Sequence, residues 1–233
     1  MANESDLAIQ FINEVLINCT THNFSSIVFY AIFDNTCTDG TYSLLEEYSE
    51  REKRLKTIFA SDNKCAVDAY FRGYKEALKS NCDWILEIDS GYSHLPKYIP
   101  KFFNKMDNYD CIFGSRFLKE SSWDSSISRY IISKGGTLLV NFLLGTKLSD
   151  MTSGFELFNK KALSEIVDRG VKSKAGFFQT EIRAYSHKFK ITEIPISYVD
   201  TSIKKIAWDD IFDAFKNLLR LFFDYRFKTF FIC

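Results

Sequence analysis

Short continuous apolar runs in this chain alternate with longer segments whose apolar residues recur every three or four positions. The first rhythm marks buried strands and the second marks amphipathic helices. Ile27–Phe33 predicts a strand, as do Leu55–Ala60, the run from Trp84 that closes on Asp89, and Cys111–Gly114. Between them, helices are predicted over Tyr42–Glu50, Ala66–Lys79 and Pro96 to about Met106. In Ala66–Lys79 the residues Ala66, Ala69, Tyr70, Gly73, Tyr74 and Ala77 form one stripe. An opening helix is expected from an Asn3 N-cap to about Asn18, with Glu4 and Asp6 in its first turn and Leu7, Ile9, Phe11, Ile12, Val15 and Leu16 on its apolar face. Strand and helix in this alternation predict an α/β fold, Rossmann-like, with a mostly parallel sheet covered by helices on both faces.

The chain has 233 residues, which suits one domain with a substantial core. Thirty basic and thirty acidic residues balance, so the charge gives no case for a nucleic-acid partner. Six scattered cysteines, Cys19, Cys37, Cys65, Cys82, Cys111 and Cys233, form no C-x-x-C pair and suggest reduced cytosolic thiols. No signal peptide is evident, and no apolar run has the length of a membrane span.

The chemistry gathers where strands end. Asp34 closes the first strand and Asp89 the third, and in a parallel sheet both open on the carboxyl edge, where α/β sheets bind ligands. Carboxylates there suit a Mg²⁺ or Mn²⁺ bridging a diphosphate. Neither a G-x-G-x-x-G nor a Walker A sequence is present.

Asp34-Asn35-Thr36-Cys37-Thr38-Asp39-Gly40-Thr41 resembles the D-D-G-S-T-D-G-T loop of inverting family 2 nucleotide-sugar glycosyltransferases with the GT-A fold. Asp89-Ser90-Gly91 falls at the D-x-D metal motif of that family. Gly114-Ser115-Arg116-Phe117, Ser128-Arg129 through Ser133-Lys134-Gly135, and Ser149-Asp150-Met151-Thr152-Ser153-Gly154-Phe155-Glu156 resemble the dolichol-phosphate or polyprenyl-phosphate mannosyltransferase branch. Phe178-Gln179-Thr180-Glu181 and Glu193-Ile194-Pro195-Ile196 extend the likeness.

The resemblance implies transfer of a hexose, mannose, from GDP-mannose to a polyprenyl or dolichyl phosphate, with inversion, at the cytosolic membrane face. It implies that Asp34, Asn35 and Asp39 lie in the loop that meets the nucleoside. Asp89 holds the cation. Arg116, Arg129 and Ser133 grip phosphates, Asp150 and Ser153 line the sugar pocket, and Glu181 orients Arg116 or Arg129. Gly91 stands where the family has its second acid, leaving Ser93 and His94 as the nearest substitute ligands. Asn35 replaces the second acid of the loop, Lys64-Cys65-Ala66 stands where glycines are usual, and Thr201 with Lys204-Lys205 replaces an arginine and a Ser-Lys-Leu stretch. The family's first strand has no counterpart before Asn3, so an upstream start is expected.

Residues 1–200 are therefore expected to form the glycosyltransferase domain. Residues 201–233 are expected to form an amphipathic membrane-surface helix and tail, with Ile211, Phe212, Phe215, Leu218, Leu219 and Phe222 on one face. Phe223, Tyr225, Arg226, Phe227, Lys228, Phe230 and Phe231 then mix rings and cations as a headgroup interface requires. Two rivals remain: a transferase acting on a cell-surface glycan, which requires a carboxylate base, and a degenerate member that binds nucleotide or a partner without turnover.

Overall fold

The computed structural model describes residues 1–199 and 207–228, with side chains described to Tyr225. The elements run α1 (Ala8–Cys19), β1 (Phe29–Phe33), α2 (Thr41–Arg51), β2 (Leu55–Phe59), α3 (Ala66–Lys79), β3 (Trp84–Glu87), α4 (Ile99–Phe103) after a 3-10 turn at Pro96–Tyr98, and β4 (Cys111–Ser115). There follow β5 (Ser122–Asp124), α5 (Ile127–Leu144), β6 (Glu156–Asn159), α6 (Lys160–Arg169), α7 (Phe178–Tyr185), β7 (Ile191–Pro195), β8 (Ser197–Val199) and α8 (Trp208–Lys228). The stripe of alanines and tyrosines gives α3 the predicted bounds. Position 3 differs from expectation. Asn3 has a left-handed φ of 59° and is no N-cap; its side chain donates to Thr36 O and accepts from Thr38 N, clasping the loop after β1. Helix α1 begins later, with Leu7 N and Ala8 N bonding back to Glu4 O.

The sheet also departs from the expected single, mostly parallel one. Strands β1 and β2 pair in parallel as a separate ladder, β5 and β8 form another, and the central sheet has the order β3-β6-β4-β7. There β6 runs antiparallel to both β3 and β4, while β4 and β7 are parallel. The cause is the loop after α5, which returns the chain to the carboxyl ends of β3 and β4. Strand β6 therefore starts at that edge and runs away from it, placing residues 149–156 beside Asp89.

One face of the central sheet carries Phe113, Phe158, Leu163, Ile166, Phe178 and Ile182 in a single cluster, which also takes in Leu218 and Leu221 of α8. Helix α8 is thus anchored on the core by part of its apolar face. Ion pairing between Arg220 and the buried Glu181 fixes it further. The rest of that face stays outside: Trp208 is 85% exposed and Phe212 70%, and Ile211, Phe215, Leu219 and Phe223 are also exposed. Thr201, Lys204, Lys205, Phe230 and Phe231 lie outside the described residues, and no side chain of Arg226, Phe227 or Lys228 is described.

Burial separates these two sets energetically. Leu221→Ala should cost about 2–5 kcal/mol in urea denaturation, whereas Phe212→Ser should stay within about 0.5 kcal/mol of the parent. Equal losses would mean that α8 is not docked as described.

Candidate active site

Asp89 follows β3 and is half-buried. Tyr70 of α3 donates to its Oδ1, and His94 Nδ1 lies 3.4 Å from its Oδ2. Burial would push this carboxyl up, but His94, Tyr70 and the charge of Arg116 outweigh it and hold it below the ordinary range. Gly154 permits the close approach of the loop: a β-carbon there would lie 3.1 Å from Asp89 Oδ2. His94 is only 2% exposed and stands between the rings of Phe155 and Tyr198, its Nε2 3.4 Å from Ser153 Oγ. Its ring thus backs Asp89 and Ser153. Of the expected ligands Asp89, Ser93 and His94, His94 and Asp89 face one another; among the described residues no group of three or more His, Cys, Asp or Glu side chains could hold a metal ion. Ser93 takes part through its backbone carbonyl, which accepts from Val199 N.

The N-terminal segment completes this edge. Glu4 is pinned by its backbone, with N bonded to Thr41 Oγ1 at 2.9 Å, and its carboxylate lies over Gly91, where φ is +79°. A β-carbon on Gly91 would lie 2.7 Å from Glu4 Oε1. The α-amino group of Met1 donates to Ile32 O at 2.6 Å. Burial lowers its pKa, against the pull of Asp34, Cys37, Glu4 and Asp89.

The loop after β1 is internally bonded. Asp34 Oδ1 accepts from Thr36 N and Oγ1, and despite partial burial these bonds, with Asn63 and the α-amino group, keep it below the ordinary range. Asn35 is exposed and donates to Ser61 O. Asp39 spends both oxygens on Thr41 and Ser5 N, tying the N-terminal segment to α2; the Thr41 hydroxyl is the largest cause of its lowered pKa.

Beyond Asp89 lies a cationic and aromatic cluster. Arg116, at the end of β4, forms a bidentate pair with the buried Asp150: Nε to Oδ2 at 2.7 Å and Nη2 to Oδ1 at 2.9 Å, with Nη2 also on Thr152 Oγ1. Phe117, Trp123 and Tyr198 surround the guanidinium at 5.2–5.5 Å. Arg129, in the first turn of α5, reaches Tyr198 OH at 3.3 Å. Ser133 follows it one helical turn later on the same face. Lys134, to which the sequence gives no role, sits 4.7 Å from the Phe117 ring centre and donates to Ser149 O. Asp150 thus meets Arg116, and burial that would raise its pKa is overcome by Arg116 and Arg183.

Three supports were not assigned from the sequence. Arg183 is fully buried and binds Glu156 Oε1 at 2.8 Å, Ser153 O at 2.8 Å and Asp150 O. Glu193 accepts from Ser149 N, Ser149 Oγ and Asp150 N. Glu87 faces Glu156 directly across β3 and β6. Glu193 lies inside a motif, but Arg183 and Glu87 carry no sequence signal beyond a charge within an apolar run. Glu181 does not meet Arg116 or Arg129. It accepts from Lys172 N and Ser173 N and pairs with Arg220.

A family model described as "Glycosyl transferase family 2" matches residues 3–167. The chain belongs to glycosyl transferase family 2. An undecaprenyl-phosphate mannosyltransferase of Micrococcus luteus is 24% identical over 196 residues, covering 81% of this chain and 80% of the relative. A polyprenol monophosphomannose synthase of Mycolicibacterium smegmatis is 25% identical over 211 residues, covering 87% and 79%. Among solved structures, glucosyl-3-phosphoglycerate synthase from Mycobacterium tuberculosis with Mn²⁺, UDP-glucose and phosphoglyceric acid superposes with a TM-score of 0.61 at 11% identity, over 97% of this chain and 76% of that one. That likeness gives this family 2 chain its GT-A fold. The donor set at its carboxyl edge fits a cation brought in by a diphosphate better than a preformed cage. Mg²⁺ keeps several waters and takes one or two carboxylates plus substrate phosphates, and Asp89 offers Oδ2, the oxygen that Tyr70 leaves open.

The facing glutamates give a test. Burial first, then the charges of Glu156 and Asp89, raise the Glu87 pKa well above its ordinary 4.5. Burial raises Glu156 too, to about 7, but Arg183 offsets it there, so Glu87 is the more readily protonated of the two. A raised carboxyl pKa favours folding below the unfolded value and loses that advantage as pH rises toward the folded one. Glu87→Gln should therefore match or exceed the parent in thermal stability at pH 7, with the gain vanishing toward pH 4. Glu156→Gln should lose about 3–5 kcal/mol by stranding Arg183. Melting curves from pH 4 to 8 that gave the two variants equal stability would overturn the assignment.

Proposed function

We propose that this family 2 glycosyltransferase moves a hexose, mannose, from a nucleotide sugar, GDP-mannose, to a polyprenyl phosphate with inversion at the cytosolic face of a membrane. The observation that carries the reading is α5. The helix that bears Arg129, Ser133 and Lys134 also exposes large apolar side chains, among them Ile127 (78% exposed), Ile131, Leu138 and Phe142 (85%). Residues 125–149 contain Arg129, Lys134 and Lys147 and no acid. A lipid phosphate has just these needs: cations for its head and an apolar surface for its chain. Helix α8 packs against α5 and adds Ile211, Phe212 and Phe215. Among the described residues no helix is long and apolar enough to cross a membrane, so docking onto a membrane surface suits both helices. The two bacterial relatives act, by name, in transfer to undecaprenyl phosphate and in polyprenol monophosphomannose synthesis.

The chemistry follows from that acceptor. A phosphate oxygen attacks the anomeric carbon from the face opposite the nucleoside diphosphate; the new carbon–oxygen bond forms as the bond to the diphosphate breaks. The acceptor is already ionised, so positioning and charge neutralisation do the work and no base is needed. Asp89 would hold a Mg²⁺ or Mn²⁺, which would supply charge neutralisation for the leaving diphosphate. Arg129 and Lys134 hold the acceptor phosphate. Arg116 shapes their pocket while its fork is held by Asp150, leaving Nη1 outside those bonds. A hydroxyl acceptor is less well served, because Asp150 is committed to Arg116 and Glu156 to Arg183.

The test is transfer of labelled sugar from GDP-mannose or UDP-glucose to a short polyprenyl phosphate, with and without Mn²⁺. Product from GDP-mannose supports the reading; product from UDP-glucose alone changes the donor; nucleotide binding without product moves the chain to the degenerate class. Arg129→Ala should raise the acceptor KM about 10- to 100-fold, the loss of a charge-assisted contact of about 1.5–3 kcal/mol, with donor KM unchanged. In flotation with anionic liposomes, Ile131→Ser/Phe142→Ser should reduce binding, and unchanged flotation would remove α5 from the membrane surface.

A further inference from the structure

We infer that the ring cluster of Phe117, Trp123 and Tyr130 holds the isoprene unit next to the phosphate of the acceptor. This rests on the proposed use of a polyprenyl-phosphate acceptor and names the part of it that the protein recognises.

Three separate elements build the cluster. Phe117 follows β4, Trp123 is the middle residue of β5, and Tyr130 lies near the start of α5. Strand alternation places the indole: Ser122 and Asp124 are exposed, so Trp123 turns to the other side of β5. There it stacks on Phe117, with ring centres 5.7 Å apart and planes at 16°. Tyr130 meets both rings edge-on, at 5.3 Å from Phe117 and 5.5 Å from Trp123. Tyr198, opposite Trp123 in the β5–β8 ladder, adds a fourth ring at 5.2 Å. Trp123 Nε1 makes no hydrogen bond, so the indole serves this cluster as apolar surface.

The two sides of the cluster differ in chemistry. Its inner side meets cations: Arg116 lies 5.2–5.5 Å from Phe117, Trp123 and Tyr198, Lys134 lies 4.7 Å from the Phe117 ring centre, and Tyr198 OH accepts from Arg129. Its outer side is open. Tyr130 is 40% exposed, and Ile127 and Ile131 of the same helix are exposed on either side of it in sequence. Tyr130 also follows Arg129 directly. A phosphate held by Arg129 and Lys134 therefore has aromatic rings beside it and exposed aliphatic side chains further out. A polyprenyl phosphate presents its parts in that order: the charged head, the first branched isoprene, then the rest of the chain. Flat rings give a large apolar contact to such a unit at little cost in lost side-chain freedom. Later units pass to the outer face of α5, so the protein reads the group next to the phosphate and not the length of the chain.

The experiment is a ³¹P nuclear magnetic resonance titration of the full chain with two soluble phosphate monoesters, methyl phosphate and citronellyl phosphate, with circular dichroism to check the fold. Their heads carry the same charge, so the ratio of their affinities reads the apolar contact alone. Citronellyl phosphate should bind the parent about tenfold or more tightly than methyl phosphate, as burial of part of one isoprene requires. Tyr130→Ser should remove most of that preference with methyl phosphate binding unchanged, because Tyr130 stands outside the rings that meet Arg116. Tyr130→Phe, which keeps the ring, should keep the preference, and Tyr130→Ala gives the same readout should the serine variant misfold. Arg129→Ala should weaken both ligands alike. A parent-like preference in folded Tyr130→Ser, with both ligands weakened by Arg129→Ala, overturns the ring subsite and leaves the phosphate acceptor standing. Equal binding of the two monoesters by the parent overturns the subsite as well. Binding of neither by the parent removes the acceptor reading beneath it.

Discussion

The guanidinium of Arg183 is the point on which the site depends. It is wholly buried on α7 and holds one loop through Glu156 at the start of β6 and the carbonyls of Asp150 and Ser153 before it, reaching also Gly114 O in β4. A buried cation with several hydrogen bonds tolerates little displacement, because any lost partner leaves charge without solvent. The loop it holds carries Asp150, which in turn orients Arg116. Glu193 grips the same loop from the other side through Ser149 and Asp150. Positioning thus passes from a core helix, through a backbone loop, to the arginine at the pocket wall.

The antiparallel course of β6 sets a second constraint. It brings Glu156 opposite Glu87 in register, and like charges so placed repel. Arg183 compensates one of them; protonation neutralises the other. Glu87 then meets Gln179, whose amide nitrogen donates to it. A layer of buried polar groups therefore lies directly behind Asp89, reaching it through Tyr70 and His94. Such a layer fixes the direction of the carboxylate before any ligand arrives, which is how a site built on short strands acquires precision.

On the other side, α5 joins two chemistries in one element. Its first turns carry Arg129, Ser133 and Lys134 close to the aromatic cluster of Phe117, Trp123 and Tyr198, while the remainder exposes apolar side chains. Helix α8 is divided in a related way. Leu218 and Leu221 enter the core, and Ile211, Phe212 and Phe215 face outward. The amphipathic pattern of α8 was therefore not a choice between core and surface, since different parts of one broad stripe serve each.

Local pattern was enough for much of this. The bounds of α3, the runs of β1 to β4, and the family loops were legible because periodicity, turn chemistry and short-range motifs are written in neighbouring residues. So were Asp34 and Asp89, since each ends an apolar run. Long-range pairing was not legible. Nothing adjacent to Glu156 says that β6 runs antiparallel, that Glu87 faces it, or that Arg183 compensates it. Asn3 reads as a helix cap until its side chain is found on the loop at Thr36 and Thr38. The sequence by itself determined the strands up to β4, the helices between them and the amphipathic course of α8, and which edge carries Asp34 and Asp89. Only the tertiary structure decided which charges share a buried space, because that depends on chain return and desolvation and not on the order of residues.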